Sequence, residues 1–149
     1  MSTVPAVKSA LVALLTSILA DTQVIYGPKD AVTTTRPRIT TVGKVTNANR
    51  ELNSMAIGTT EERYTVDLAF SVDLPGAGTL STAVSQVFAD YAAAEIAIRE
   101  FSGGPDLGLA AQGVLQALPT GVWEFDEQAD PDGSHAAIKS SVAVIAQNT

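Results

Sequence analysis

The sequence predicts an α+β fold: a mostly antiparallel sheet with two main helices packed on one face and a C-terminal β-hairpin. Three observations predict it. Between Arg63 and Asp73, the apolar Tyr64, Val66, Leu68, Phe70 and Val72 alternate with Thr65, Asp67, Ala69, Ser71 and Asp73. That is the period of a strand with one face on a core. Two other stretches repeat their apolar residues every three or four positions, the period of a helix. Near the end, Asp130-Pro131-Asp132-Gly133 divides two β-rich runs with a strong hairpin turn.

Taken in order, the first helix carries a stripe of Val4, Val7, Leu11, Leu14, Leu15 and Ile18. Pro5 suits its first turn, Ser2 or Thr3 can cap it, and it is expected to end near Asp21. Gln23 to Tyr26 reads as a short strand closed by Gly27-Pro28. Residues 30–37 read as an extended, Thr-rich loop, with Pro37 favouring a strand edge or start. Arg38 to Val45, rich in Ile, Val and Thr, reads as a strand. Residues 46–61 are polar and carry Asn47, Asn49, Asn53 and Gly58. They read as an exposed loop or hairpin arm, longer than packing requires.

After the alternating strand, Pro75-Gly76-Ala77-Gly78 breaks the pattern. A second helix follows, capped by Thr79 or Ser81, with Leu80, Val84, Val87, Phe88, Tyr91, Ile98 and Phe101 as its expected buried stripe. Gly103-Gly104-Pro105 stops it. Val114 to Leu118 is a short strand turned by Pro119-Thr120-Gly121. Val122 to Glu127 is a strand with Trp123 and Phe125 on one face. Ala137 to Ala146 is its partner, with Ile138, Val142 and Val144 inward.

Composition limits the chemistry. The chain has 149 residues, the length of one domain, with no cysteine and one histidine, His135. Thiol nucleophiles, disulfides and cysteine-rich zinc sites are thereby excluded. Charged residues are 17% of the chain and the net charge is −7. A low charge fraction leaves more neutral surface than usual, of the kind a neighbouring subunit covers. The nine basic residues are scattered; Arg36, Arg38 and Lys44 come nearest to a cluster. That is not the basic patch of a nucleic-acid binder. No segment reaches the ~20 apolar residues of a membrane span. The run from Val4 to Ala20 is interrupted by Lys8, Ser9, Thr16 and Ser17. It reads as a structural helix, not a signal segment, in a protein kept in the cytoplasm until assembly.

Patterns that carry chemistry are weak. Asp130-x-Asp132-Gly133 lacks the further oxygens and closing Glu of a calcium loop, and reads as a turn. Glu61, Glu62, Asp67 and Asp73 could be imagined as a carboxylate pair, but a strand face in water or at an interface explains them better. No phosphate-binding glycine motif or nucleophile elbow occurs. Trp123 and Phe125 suit core packing more than base stacking. The reading is an assembly component, not an enzyme, with no cofactor and no metal.

The ordered pattern carries a resemblance. Its pieces are Val24-Ile25-Tyr26-Gly27, Glu62-x-Tyr64-x-Val66, an alanine-rich helix, and Leu118-Pro119-x-Gly121-x-Trp123 before the final hairpin. Over nearly the whole chain this resembles the tail terminator (tail completion) proteins of long-tailed, non-contractile bacteriophages. The resemblance implies a single domain that forms a hexameric ring on the head-proximal end of the tail tube. Such a ring ends tube growth and joins tail to neck. It implies three partners: further copies of the chain, the tail tube protein, and a head-completion or neck protein. DNA would cross the lumen without specific binding. It also implies residence in the virion tail, and in the host cytoplasm during assembly. Arg50, Glu51 and Met55 would belong to an arm that reaches a neighbouring subunit or the tube. Glu62, Thr65 and Asp67 would lie at subunit contacts. Asp126, Glu127 and Asp130 would face the lumen, where a negative wall repels phosphates. Two alternatives stand beside it: a head–tail joining or neck connector protein, and a small-molecule-binding or hydrolytic α+β domain. An enclosed apolar cavity with convergent polar groups would favour the latter.

Overall fold

A computed structural model describes residues 2–28, 34, 36–52, 60–101 and 103–148. The order is α1 (Val4–Ile18), β1 (Gln23–Tyr26), β2 (Arg38–Leu52), β3 (Thr60–Pro75), α2 (Leu80–Arg99), a 3₁₀ turn (Ala110–Gln112), β4 (Val114–Pro119), β5 (Glu124–Asp130) and β6 (Gly133–Asn148). The expected fold class is what forms: two helices packed on one face of a six-stranded, mostly antiparallel sheet.

Strands run β1-β2-β3-β6-β4 across the sheet, with β5 also on β6. β1 alone is parallel to its neighbour, pairing Gln23–Tyr26 with Ile39–Val42. β6 is the organising strand. One edge pairs with β3 over its whole length, from Gly133↔Pro75 to Asn148↔Thr60. Its other edge is shared end to end: β5 takes Gly133–Lys139 and β4 takes Val142–Ala146. The β5–β6 turn forms because the Asp130 carboxylate accepts the Asp132 and Gly133 amides at 2.8 and 2.9 Å. Gly133 is required there: a Cβ would lie 2.8 Å from the Leu74 carbonyl oxygen.

The core lies between helices and sheet. Val7, Leu11 and Leu15 of α1 are fully buried. Burial of each such side chain contributes about 2 kcal/mol. The alternation of β3 places Tyr64, Val66, Leu68, Phe70 and Val72 in this core, and Ile138, Val142 and Val144 of β6 lie beside them.

Several boundaries move. α1 ends at Ile18, short of Asp21, because Leu19 leaves helical geometry and turns into the core. β2 continues past Val45 to Leu52, and β3 runs from Thr60 to Pro75, so most of the expected arm is sheet. Two register shifts, between Val42 and Val45 and between Thr46 and Asn49, absorb its turn-forming residues. Asn47 takes φ +52°, a left-handed conformation that asparagine tolerates. Residues 53–59, Met55 among them, and 30–33 and 35 of the expected loop lie outside the described residues. The buried line of α2 is Ala83, Val87, Asp90, Ala94 and Ile98. The expected Leu80, Val84, Phe88, Tyr91 and Phe101 flank it, partly exposed. The last strands also shift: β5 starts at Glu124, and β6 starts at Gly133 instead of Ala137.

Candidate assembly surfaces

Glu62 sits on the core face of β3, opposite Arg50 on β2. It is 6% exposed and enclosed by donors. The Thr3 amide donates to Oε1 at 3.0 Å, the Thr3 hydroxyl at 2.9 Å and the Ser2 hydroxyl at 3.1 Å. Arg50 donates to Oε2 at 2.9 Å. Thr3 begins α1 without a side-chain cap of its own. Glu62 therefore supplies the negative group that a helix N-terminus favours. Burial pushes its pKa up, but the bonds from Arg50, Thr3 and Ser2 outweigh it, and the carboxyl titrates below the usual range. The Thr3 proton is committed to Glu62, so Tyr64 donates to Thr3 Oγ1 at 2.9 Å. Burial pushes the Tyr64 hydroxyl up to about 12. The Glu62 expected at a subunit contact thus faces inward and ties α1 to β2 and β3. Arg50, its partner, remains half exposed.

A second buried carboxylate was not foreseen. Asp90 of α2 is 3% exposed. Arg38 grips it with Nε on Oδ2 at 3.2 Å and Nη2 on Oδ1, and Thr22 Oγ1 donates to Oδ2 at 3.2 Å. The bond to Asp90 raises the Arg38 pKa further, against the effect of burial. Arg36 donates to the Ala20 and Thr22 carbonyls. Of the Arg36, Arg38, Lys44 group, only Arg38 is thus committed inside the fold; Arg36 is bonded to carbonyls at an exposed position, and Lys44 is exposed. The signal for Asp90 was present: it falls three residues after Val87 and four before Ala94, on the buried helical line.

Among the described residues no helix covers the other face of the sheet. Thr65, Asp67, Ala69 and Ser71 of β3 lie there, half-buried, beside Ala137, Lys139, Ser141 and Ala143 of β6. Asp67 accepts a long 3.4 Å bond from Thr46. A groove of about 390 Å³ crosses this face between Lys44 and Lys139, with Val122 at its end. Glu51 pairs in register with Glu61, and Glu61 accepts from Arg63.

At the far margin β5 is exposed along its whole length. Its candidates do not all share a face. Asp126 opposes Ala137 on the open side, Glu127 opposes Ala136 on the helix side, and Asp130 is occupied in the turn. They do not form one row on a single face of the sheet. Trp123 and Phe125 both meet Phe88, at ring-centroid distances of 5.6 and 5.2 Å, yet remain 47% and 36% exposed. They form a rim to the core, not part of it.

His135 Nδ1 lies 2.6 Å from Asp73, its cross-strand partner, above a groove of about 810 Å³ that includes Asp130 and Asp132. The adjacent Ser134 hydroxyl accepts from Thr79 instead. Glu61, Glu62, Asp67 and Asp73 each face a different partner and do not converge. The space between α2 and the sheet, beside Phe70, Tyr91 and Ile98, is about 10 Å³, too small for a ligand. Among the described residues no cluster of metal-ligating side chains occurs, and no helix is long and apolar enough to cross a membrane. No protein-family model matches the chain, and no curated protein is significantly similar to it.

Proposed function

We propose that the protein is a structural ring subunit, a tail terminator that caps the head-proximal end of a phage tail tube and joins it to the neck. One observation carries the reading: among the described residues no helix layer covers one face of the sheet and, beside it, a seven-residue strand is exposed throughout. A sheet with one free face and free edges is the form of a unit completed by neighbours. Thr65 and Asp67 on that face are the contact residues, and Arg50, half exposed beside Glu62 on the helix side, is a third. The sequence resemblance selects the station in the virion, and the net charge of −7 suits a passage that DNA crosses without sticking.

Electron microscopy of the purified chain, alone and mixed with tail tubes, tests this. Annular particles seated on one end of each tube are expected. A monomer that leaves tube ends bare and tube length unregulated overturns it. Annuli that bind the neck but not the tube would favour a connector protein.

A further inference from the structure

β5 combines an unpaired edge, negative charge and exposed aromatic surface. It pairs with β6 along one edge, without a register break from Glu124↔Lys139 to Asp130↔Gly133. Among the described residues no strand lies on its other edge. Its seven residues are all exposed and include Glu124, Asp126, Glu127 and Asp130 and no basic residue. Across the ladder Asp126 and Glu127 oppose alanines, and Lys139, opposite Glu124, is the one lysine that faces the strand. No ion pair among the described residues reaches β5. At its start Trp123 and Phe125 stay exposed although both touch Phe88.

A regular strand with an unpaired edge is a template for another strand. Pairing β5 with β5 of a second copy would set four carboxylates against four, and like charges directly opposite are destabilising. No other described strand of this chain answers the acids. None carries two basic residues two positions apart. Arg38, Arg50 and Arg63 are already bonded to Asp90, Glu62 and Glu61. The acids thus bar the edge to a second copy, and the same charge suits a basic strand from elsewhere. Alternation defines that strand further. Glu124, Asp126 and Asp130 lie on the open side of the sheet, and Phe125 and Glu127 on the helix side. An added strand presents its own side chains to the same two sides in turn. Basic residues at every second position would meet the open-side acids. Aliphatic residues between them would cover Phe125 and the rim that Trp123 makes with Phe88.

We propose that the outer edge of β5 is a docking site for a basic, extended segment of another protein, with lysine or arginine at alternate positions and aliphatic residues between them. The segment adds to the sheet as a further strand. Its backbone bonds hold it, and the acids and the aromatic rim select its sequence. This goes beyond the ring-subunit reading and does not rest on it, because every feature used belongs to one protomer. It gives Asp126 and Glu127 a place at a partner contact instead of a lumen wall. Charge pairing at so exposed an edge is weakened by salt.

The test titrates the full chain with a short end-blocked peptide of alternating lysine and valine. Trp123 is the single tryptophan of the chain, so its fluorescence reports on the edge. Hydrogen exchange of the β5 amides reports strand pairing. Saturable binding that slows exchange at alternate β5 amides is expected. A peptide with proline in place of valine keeps the charge but cannot form a ladder, and should bind at least about tenfold more weakly. A glutamate–valine peptide should not bind. Asp126→Asn with Glu127→Gln should weaken the lysine–valine peptide at least about tenfold at an unchanged circular dichroism spectrum. Absence of binding overturns the proposal. So does equal binding of the proline peptide, protection that falls on another strand, or indifference to the charge of peptide or edge. Rings in the electron microscope whose β5 ignores the peptide would remove this site and leave the ring. A peptide-binding edge on a chain that forms no ring would leave the site alone.

Discussion

Where α1 and α2 meet the β2 side of the sheet, carboxylates are enclosed. Glu62 and Asp90 are 6% and 3% exposed, and each is held by an arginine and by hydroxyl donors. At the opposite margin β5 places Glu124, Asp126 and Glu127 in water, with no ion pair among the described residues. The same side-chain type therefore does two different things. On the closed margin it locks elements distant in sequence: Glu62 joins Thr3 across 59 positions, and Asp90 joins Arg38 across 52. On the open margin it leaves the fold alone and sets which surface another molecule can approach. A single net charge of −7 contains both kinds.

The largest expected break is Asp90→Ala. It leaves the Arg38 guanidinium, 20% exposed, with only Asp21 at 3.9 Å. Removal of one partner from a buried pair costs about 3–5 kcal/mol. The residual access of Arg38 to water sets the expectation near the lower figure. Urea unfolding should show a lower midpoint at unchanged slope; a loss under about 1 kcal/mol would mean that the pair is not closed.

Next is Glu62→Gln, at about 2 kcal/mol, since an amide keeps an acceptor but gives Arg50 and the helix N-terminus no charge. Its pH dependence separates charge from shape. The carboxyl is depressed below its ordinary value of 4.5 in the fold. Its contribution is therefore full above 4.5 and disappears as pH falls through the lower folded value. The gap between parent and variant should shrink below pH 4.5, and a constant gap would assign the effect to packing.

Tyr64→Phe should cost about 1 kcal/mol at neutral pH, the worth of its bond to Thr3. The tyrosine pKa is raised from 10 to about 12, so its contribution is full below pH 10 and lost as pH rises toward 12. The parent should lose stability in that window faster than the phenylalanine variant. Absorbance should show a late-titrating tyrosine that the substitution removes.

How far the sequence discloses this contrast follows from period. Strict alternation placed Tyr64 to Val72 inward, and helical spacing placed Val7, Leu11 and Leu15. Both are local repeats, and local repeats are what a sequence displays. Glu62 continues the inward set of β3, but a carboxylate on a core face makes sense only once Thr3 and Arg50 are in place, and those contacts come from folding. Asp90 is a polar interruption of an apolar helical line, legible as a position though not as a partner. The extension of β2 through Asn47 and Asn49 was hidden by residues that favour turns and here sit at register shifts. Asp126, Glu127 and Asp130 were recognised as exposed acids, but the alternation of β5 that divides them required the register with β6.

The smallest effect on the fold is expected from Asp126→Asn with Glu127→Gln, within about 0.5 kcal/mol of the parent. Both side chains are exposed, and their cross-strand partners are alanines. No buried group is left unpaired when either charge is removed. The change is chemically the same as Glu62→Gln, and only the surroundings differ. A thermal or urea midpoint that stays fixed while binding of the lysine–valine peptide weakens would place these acids wholly outside the folding problem. A drop comparable to that of Glu62→Gln would show instead that β5 is held by its charges. The two margins would then be alike, and the acidic edge would have to be explained by stability and not by the approach of a basic strand.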